Sequence, residues 1–266
     1  MLDSEISNLS LAFALADVAD LETLKLWSPI GVASKTKPDG TPVTSADVDA
    51  ELSMLNLLAQ VSKDDGLLGE EIGSRPSRNG RRWIIDGIDG TSGYIAGLTT
   101  WGSLIALEIE SEINLGIVTS PAQNKRWWAY KGKGAFIGTC TSKAKGRSIR
   151  VSSNEHLSSS RVATLPAIEK LSDNAQRAVV KVVPDRPLSD EWGWSQQMKV
   201  AEGELDACIW YCGDVWDHAA PSLIVEEAGG RFSDHKGGKR LDSRKALYSN
   251  GFVHDQILAS LTKFET

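Results

Sequence analysis

The sequence predicts a layered α/β fold, on three observations. The second half alternates strand and helix candidates, the first half holds β-branched and alternating runs separated by Gly and Pro, and two amphipathic segments precede those runs. The chain has 266 residues, 41% hydrophobic and 24% charged, enough for a large core as one big domain or two closely packed halves.

Residues 7 to 27 carry Leu9, Phe13, Ala16, Leu21 and Leu24 near helical spacing. Residues 35 to 44, with Pro38-Asp39-Gly40 and Pro42, read as a turn or short hairpin. Thr44 as N-cap and Asp47 in the first turn open a second helix to about residue 62. Leu67-Leu68-Gly69-Glu70-Glu71 reads as a strand end feeding two acids into a loop, and residues 82 to 85 as a strand. Antiparallel strands are expected from 104 to 135. The Lys-, Ser- and Gly-rich stretch 139 to 147 suggests a division near residue 145, into 1–145 and 146–266. Beyond it a strand is predicted at 179 to 183, a helix at 194 to 201 and a strand at 205 to 211. A last helix, opened by Asp217, is closed by Gly229-Gly230.

A net charge of −6 argues against a nucleic-acid polymer or membrane surface as partner, since both select clustered Lys and Arg. A small substrate fits better. Three cysteines and four scattered histidines give neither a disulfide framework nor a zinc site. The N-terminus lacks a basic, then apolar, leader, and no segment is long enough to span a membrane, so a cytoplasmic location is expected.

Asp86-Gly87-Ile88-Asp89-Gly90-Thr91 follows the apolar run Trp83-Ile84-Ile85 and sets two carboxylates three residues apart where a strand stops. Such a pair can share Mg²⁺, which takes hard oxygen ligands and is usually held by one or two carboxylates plus substrate phosphate. The glycines allow close approach, and Thr91 can open a helix whose N–H groups attract an anion. A cation and an anion are thus invited to one point. Asp47, Glu70-Glu71 and Asp217 are further acids at helix starts or strand ends; each alone is equally explained as capping.

In this order the acids resemble the inositol monophosphatase superfamily of Mg²⁺-dependent, lithium-sensitive phosphatases. Its hallmark D-P-(I/L)-D-G-T-x-N-(F/Y) is matched by residues 86–94. The motif W-D-x-A-A followed by E-A-G-G is matched by Trp216-Asp217-His218-Ala219-Ala220 and Glu227-Ala228-Gly229-Gly230. G-E-E, V-T-x-x-D and G-K-G-A-F are matched at 69–71, 43–47 and 132–136. The resemblance implies an αβαβα sandwich, a homodimer, and two or three Mg²⁺ per site. It puts Glu70, Asp86 and the Ile88 carbonyl on a first metal, Asp86, Asp89 and Asp217 on a second, and Asp47 near a third. Water activation would fall to Glu70 and Thr91 with Asp47 nearby, and phosphate binding to the Gly90 and Thr91 N–H groups. Asp89, Glu191, Trp192, Gly193, Trp210 and Asp217 would approach the substrate, a small phosphorylated metabolite.

The chain departs from the hallmark at Gly87, where proline is usual, and Gly93, where asparagine is usual. Loss of proline is expected to weaken preorganisation by about 1 kcal/mol. Trp210 stands where many members carry an acid for a substrate hydroxyl or amine. With Trp192 and Trp194 it suggests an aromatic metabolite such as a phosphorylated nucleoside, unless these indoles are core or dimer-interface residues. Residues 37–44 and 224–230 look most like bacterial histidinol-phosphate phosphatases of the superfamily. Two other classes compete: a non-catalytic metal or phosphate binder that kept the fold, and a plain acidic protein whose carboxylates are caps.

Overall fold

The computed structural model describes residues 2–141, 145–182 and 193–264. Helix α1 (Leu2–Leu26) leads to a hairpin of β1 (Lys35–Thr36) and β2 (Pro42–Val43), then α2 (Ser45–Val61). There follow β3 (Gly66–Gly69), β4 (Ser74–Arg75), β5 (Arg81–Asp89), the single-turn α3 (Thr91–Ile95), β6 (Gly102–Ile109), β7 (Glu112–Ser120), β8 (Lys125–Tyr130), β9 (Ala135–Gly138) and β10 (Arg147–Ile149). The remainder is β11 (Val162–Leu165), α4 (Asp173–Val182), α5 (Ser195–Ala201), β12 (Ala207–Trp210), α6 (Val215–Glu227), β13 (Arg231–Asp234), β14 (Ala246–Ser249) and α7 (His254–Phe264).

Strands β3 to β10 form a large sheet in the order β10-β9-β8-β7-β6-β5-β3-β4, antiparallel except where β3 runs parallel to β5. A smaller sheet has the order β11-β12-β14-β13, with β11 and β12 parallel. Strand alternation assigns side chains to layers. On β5, Trp83 and Ile85 join a core with Ala12, Leu15, Ala50 and Met54 of α1 and α2, while Ile84 faces a second core with Ala220 and Ile224 of α6. On β12, Cys208 and Trp210 join that second core, and Ala207 and Ile209 join a third with Ala178 of α4 and Ile257 of α7. The result is an αβαβα sandwich with α6 between the two sheets. The suggested division at 145 falls two residues before β10, the last strand of the large sheet.

Most predicted elements appear, with shifted ends. The first helix starts at Leu2 rather than residue 7, and the strand at 82 to 85 runs on to Asp89. The strand predicted at 179 to 183 is wrong: residues up to Val182 are the end of α4, and residue 183 lies outside the described residues. Its β-branched run suggested a strand, but Ala175, Ala178, Val179 and Val182 lie at helical spacing and are buried together. Among the described residues no helix is long and apolar enough to cross a membrane.

An ion-paired network ties α1 to the large sheet. The Arg126 guanidinium, 1% exposed, donates to Asp20 at 2.5 Å and Asp17 at 2.9 Å, and the Thr119 hydroxyl donates to Asp20 at 2.8 Å. Removing one partner leaves an uncompensated buried charge. Asp20→Ala is therefore expected to cost about 3 to 5 kcal/mol in urea unfolding. Adding Arg126→Met should recover part of that loss; a double variant no more stable than Asp20→Ala would contradict the account.

Candidate functional site

Residues 86 and 89 are an odd number apart, so on a regular strand they would face opposite sides. The pairing of β5 with β6 slips between Asp86 and Asp89, and this bulge brings the two carboxylates together. Asp217 arrives from the start of α6, where Asp214 is the N-cap and its N–H donates to the Asp217 carboxylate at 2.6 Å. Asp86, Asp89 and Asp217 each offer an oxygen within 4.8 Å of the others. The predicted strand-end loop is thus the bulged end of β5.

Burial pushes the Asp86 carboxyl well above its ordinary value, and the charges of Glu70, Asp89 and Asp217 add to the effect. Burial likewise raises Asp217, with Asp89 as the next cause, and lifts Asp89 to about 6 against hydrogen bonds from the Trp194 and Gly90 N–H groups. Asp86 is 2% exposed, and its Oδ2 has no hydrogen-bond partner. A hard divalent cation fits this all-oxygen donor set, because it relieves repulsion and gives the orphaned oxygen a partner.

Glu70 lines the same cavity, but Lys37 of the β1–β2 hairpin donates to its carboxylate at 2.7 Å and also to Glu71. Burial raises the Glu70 carboxyl to about 7 despite Lys37. Burial opposes the Lys37 charge, yet the hydrogen bonds and charges of Glu70 and Glu71 hold its pKa above the ordinary value. Nothing in the spacing of the sequence pointed to Lys37.

Glu51 is a second residue the motifs missed. It is fully buried one helical turn after Asp47, and its carboxylate accepts N–H bonds from Glu70 at 3.1 Å, Glu71 and Ile72 at 3.0 Å and Gly87 at 3.4 Å. Burial lifts it to about 7 against those bonds. Its signal was its place four residues after Asp47, on the same face of α2. Gly87 has compensations for the missing proline: its N–H reaches Glu51, its carbonyl accepts from Ser103 at 2.7 Å, and a Cβ there would lie 2.5 Å from the Asp47 carbonyl oxygen. The expected loosening of the loop is offset by packing that only glycine allows.

Asp47 closes a capping box, accepting from the Thr44 N–H at 2.8 Å and hydroxyl at 2.6 Å, while its other oxygen accepts from the Thr91 hydroxyl at 3.0 Å. That hydroxyl also lies 3.0 Å from the Ile88 carbonyl oxygen. Both Asp47 oxygens are thus engaged by hydrogen bonds. Gly90, at φ 86°, precedes α3, and its N–H already turns to the Asp89 carboxylate.

The cavity over these groups measures about 640 Å³, and its wall includes Ile88, Gly90, Thr91, Gly193, Trp210 and Arg244. At Gly193 φ is +64°, and a Cβ would come within 2.7 Å of Asp89, so glycine lets the chain supply the Trp194 N–H, 2.8 Å from that carboxylate. Trp194 is 1% exposed and packs on Trp127 with centroids 5.2 Å apart, which makes it core. Trp210, also 1% exposed, meets His218 edge-on at 5.4 Å and presents little open face. Burial pushes His218 down to about 4, so its ring is neutral, with Nδ1 2.7 Å from the Tyr248 hydroxyl. Glu191 and Trp192 lie outside the described residues.

A model of the inositol monophosphatase family matches residues 7–265. The chain is 37% identical to a Streptomyces griseus protein named glucose-1-phosphate thymidylyltransferase, over 98% of both chains. It is 35% identical to a histidinol-phosphatase of Mycobacterium tuberculosis, over 96% of this chain and 97% of that one. It superposes on the structure of an IMPase of Thermotoga maritima with a TM-score of 0.83 and 25% identity, covering 97% of this chain and 98% of the other. The first name is that of a transferase, but the family model and the other two agree on phosphate-ester hydrolysis. The chain belongs to the inositol monophosphatase family and is a phosphoric monoester hydrolase.

Proposed function

We propose that the protein hydrolyses a small phosphate monoester directly by water, with Mg²⁺ held by Asp86, Asp89 and Asp217 and by a Glu70 released from Lys37. The observation that carries this reading is the convergence of three carboxylates within 4.8 Å at the floor of a cavity. Bound Mg²⁺ would supply Lewis-acid charge for the phosphoryl oxygens and a water of lowered pKa. The protein's own groups do the rest. Asp47 holds the proton of the Thr91 hydroxyl, which leaves the Thr91 lone pairs to orient and accept a proton from the attacking water, with Glu70 as the second acceptor. The Thr91 N–H, at the first turn of α3, faces the phosphate oxygens. Ile88 contributes its carbonyl, and Gly90 the sharp turn between Asp89 and α3.

The non-catalytic alternative has no support in the site, since none of the assigned carboxylates has been lost. A phosphorylated nucleoside is not favoured either, because Trp194 and Trp210 offer no open ring for stacking. The M. tuberculosis relative makes histidinol phosphate a substrate to test. A homodimer, from the family resemblance, belongs to the same reading and is checked by sedimentation.

EDTA is expected to abolish phosphate release and Mg²⁺ to restore it, in a panel of histidinol, inositol, sugar and nucleoside phosphates. Transfer of a thymidylyl group to glucose 1-phosphate is measured alongside, and transfer without phosphate-ester hydrolysis would overturn the reading. Asp86→Asn and Asp217→Asn are expected to lower kcat by about 100-fold or more with the fold intact by circular dichroism. Full activity in either variant would remove that residue from the metal set.

Metal-free stability should depend on pH in a defined direction. Glu70, at about 7, and Asp89, at about 6, bind protons more tightly folded than unfolded, as do Asp86 and Asp217. Stability is then greatest below the unfolded carboxylate pKa of about 4 and falls as pH rises to about 7. In EDTA the Tm should drop from pH 5 to pH 8, and Mg²⁺ should raise it most at the higher pH. A Tm that rises over this range in EDTA would contradict the crowding of these acids.

A further inference from the structure

Beside the acidic cavity lies a second one, of about 450 Å³, with the opposite electrostatic character. Cys212 lines both, and the chain passes from one to the other at Leu165–Pro166 and at Tyr211–Cys212. These are the carboxyl ends of β11 and β12, the parallel pair of the small sheet, where crevices in α/β sheets take ligands. The described lining of this annex includes Lys170, Lys245, Ser172, Asn174 and Tyr211, and no carboxylate. The Lys245 ammonium stands 5.7 Å from the centroid of the Tyr211 ring. Its chain neighbour Arg244 lines the acidic cavity and has no carboxylate partner among the described residues. Asp39 and Asp214, on that same cavity wall, are engaged: Asp39 accepts from Thr41, and Asp214 caps α6. Trp210 fills the position where many family members carry an acid for a hydroxyl or amine.

We propose that the annex receives a second anionic group on the organic part of the substrate, so that the preferred ester is a bisphosphate or a phosphorylated carboxylic acid rather than a phosphorylated amine. The proposal rests on the phosphatase reading for the scissile phosphate. Arg244 steers the second anion past the metal ligands, and the annex lysines hold it by charge-assisted hydrogen bonds.

The test compares sugar bisphosphates with the matching monophosphates, and phosphorylated hydroxy acids with phosphorylated amino alcohols, histidinol phosphate included. The anion-bearing member of each pair is expected to have a kcat/KM about tenfold higher or more, carried by KM, as for one charge-assisted contact. Preference in only one set identifies the second anion as phosphate or carboxylate. Lys170→Ala combined with Lys245→Ala should bring the ratio close to one, and Lys245→Arg should keep it. No preference in the native protein, preference for the amine, or a ratio unchanged by the double substitution would each overturn the annex. If no ester turns over, the phosphatase reading fails by itself. Calorimetric titration of the same bisphosphate and monophosphate in Mg²⁺, with native protein and double variant, then still decides the annex: equal affinities refute it.

Discussion

The buried carboxylate of Glu51 accepts four backbone N–H groups from two separate chain segments. It joins the turn that carries Glu70 and Glu71 to the strand end that carries Asp86 and Asp89. Acids crowded as these are would push their segments apart, so a fixed backbone is required before the carboxylates can be useful. Each bond to a charged acceptor is worth more than a neutral one, and loss of the acceptor would leave several buried donors unmade. The site's geometry is thus set from behind, by a residue with no exposure to the cavity.

Much of the fold was readable because its layers write themselves into strand alternation. Trp83, Ile84 and Ile85 form a continuous apolar run, as a strand buried on both faces requires. Thr44 with Asp47 gave the start of α2 by capping chemistry alone. Residues 179 to 183 misled because β-branched residues suit both a strand and a packed helix, and only the wider spacing back to Ala175 decides between them.

The chemical centre was legible for a different reason: a cation site needs particular atoms, and particular atoms need particular residues. Asp86, Asp89 and Asp217 come together as the motif spacing implied. Lys37, Glu51 and His218 were not legible, since each acts through a contact made only in three dimensions. The indoles failed in the opposite direction. Trp194 and Trp210 lie in the right stretch of chain but spend their faces on the core, as large aromatic residues usually do.

Helix α6 is the middle layer of the sandwich and packs against both sheets, with Asp217 in its first turn. Parting the sheets would unroof the molecule's largest apolar cluster, so a clamshell motion of the two sheets is closed to this architecture. Traffic into the cavity must instead pass through what is lightly attached. The β1–β2 hairpin answers that description: two residues per strand, mostly exposed, and tethered over the acids by the single ammonium of Lys37. Arrival of a cation competes with Lys37 for Glu70, which makes the metal both a ligand of the floor and the key that unlatches the door.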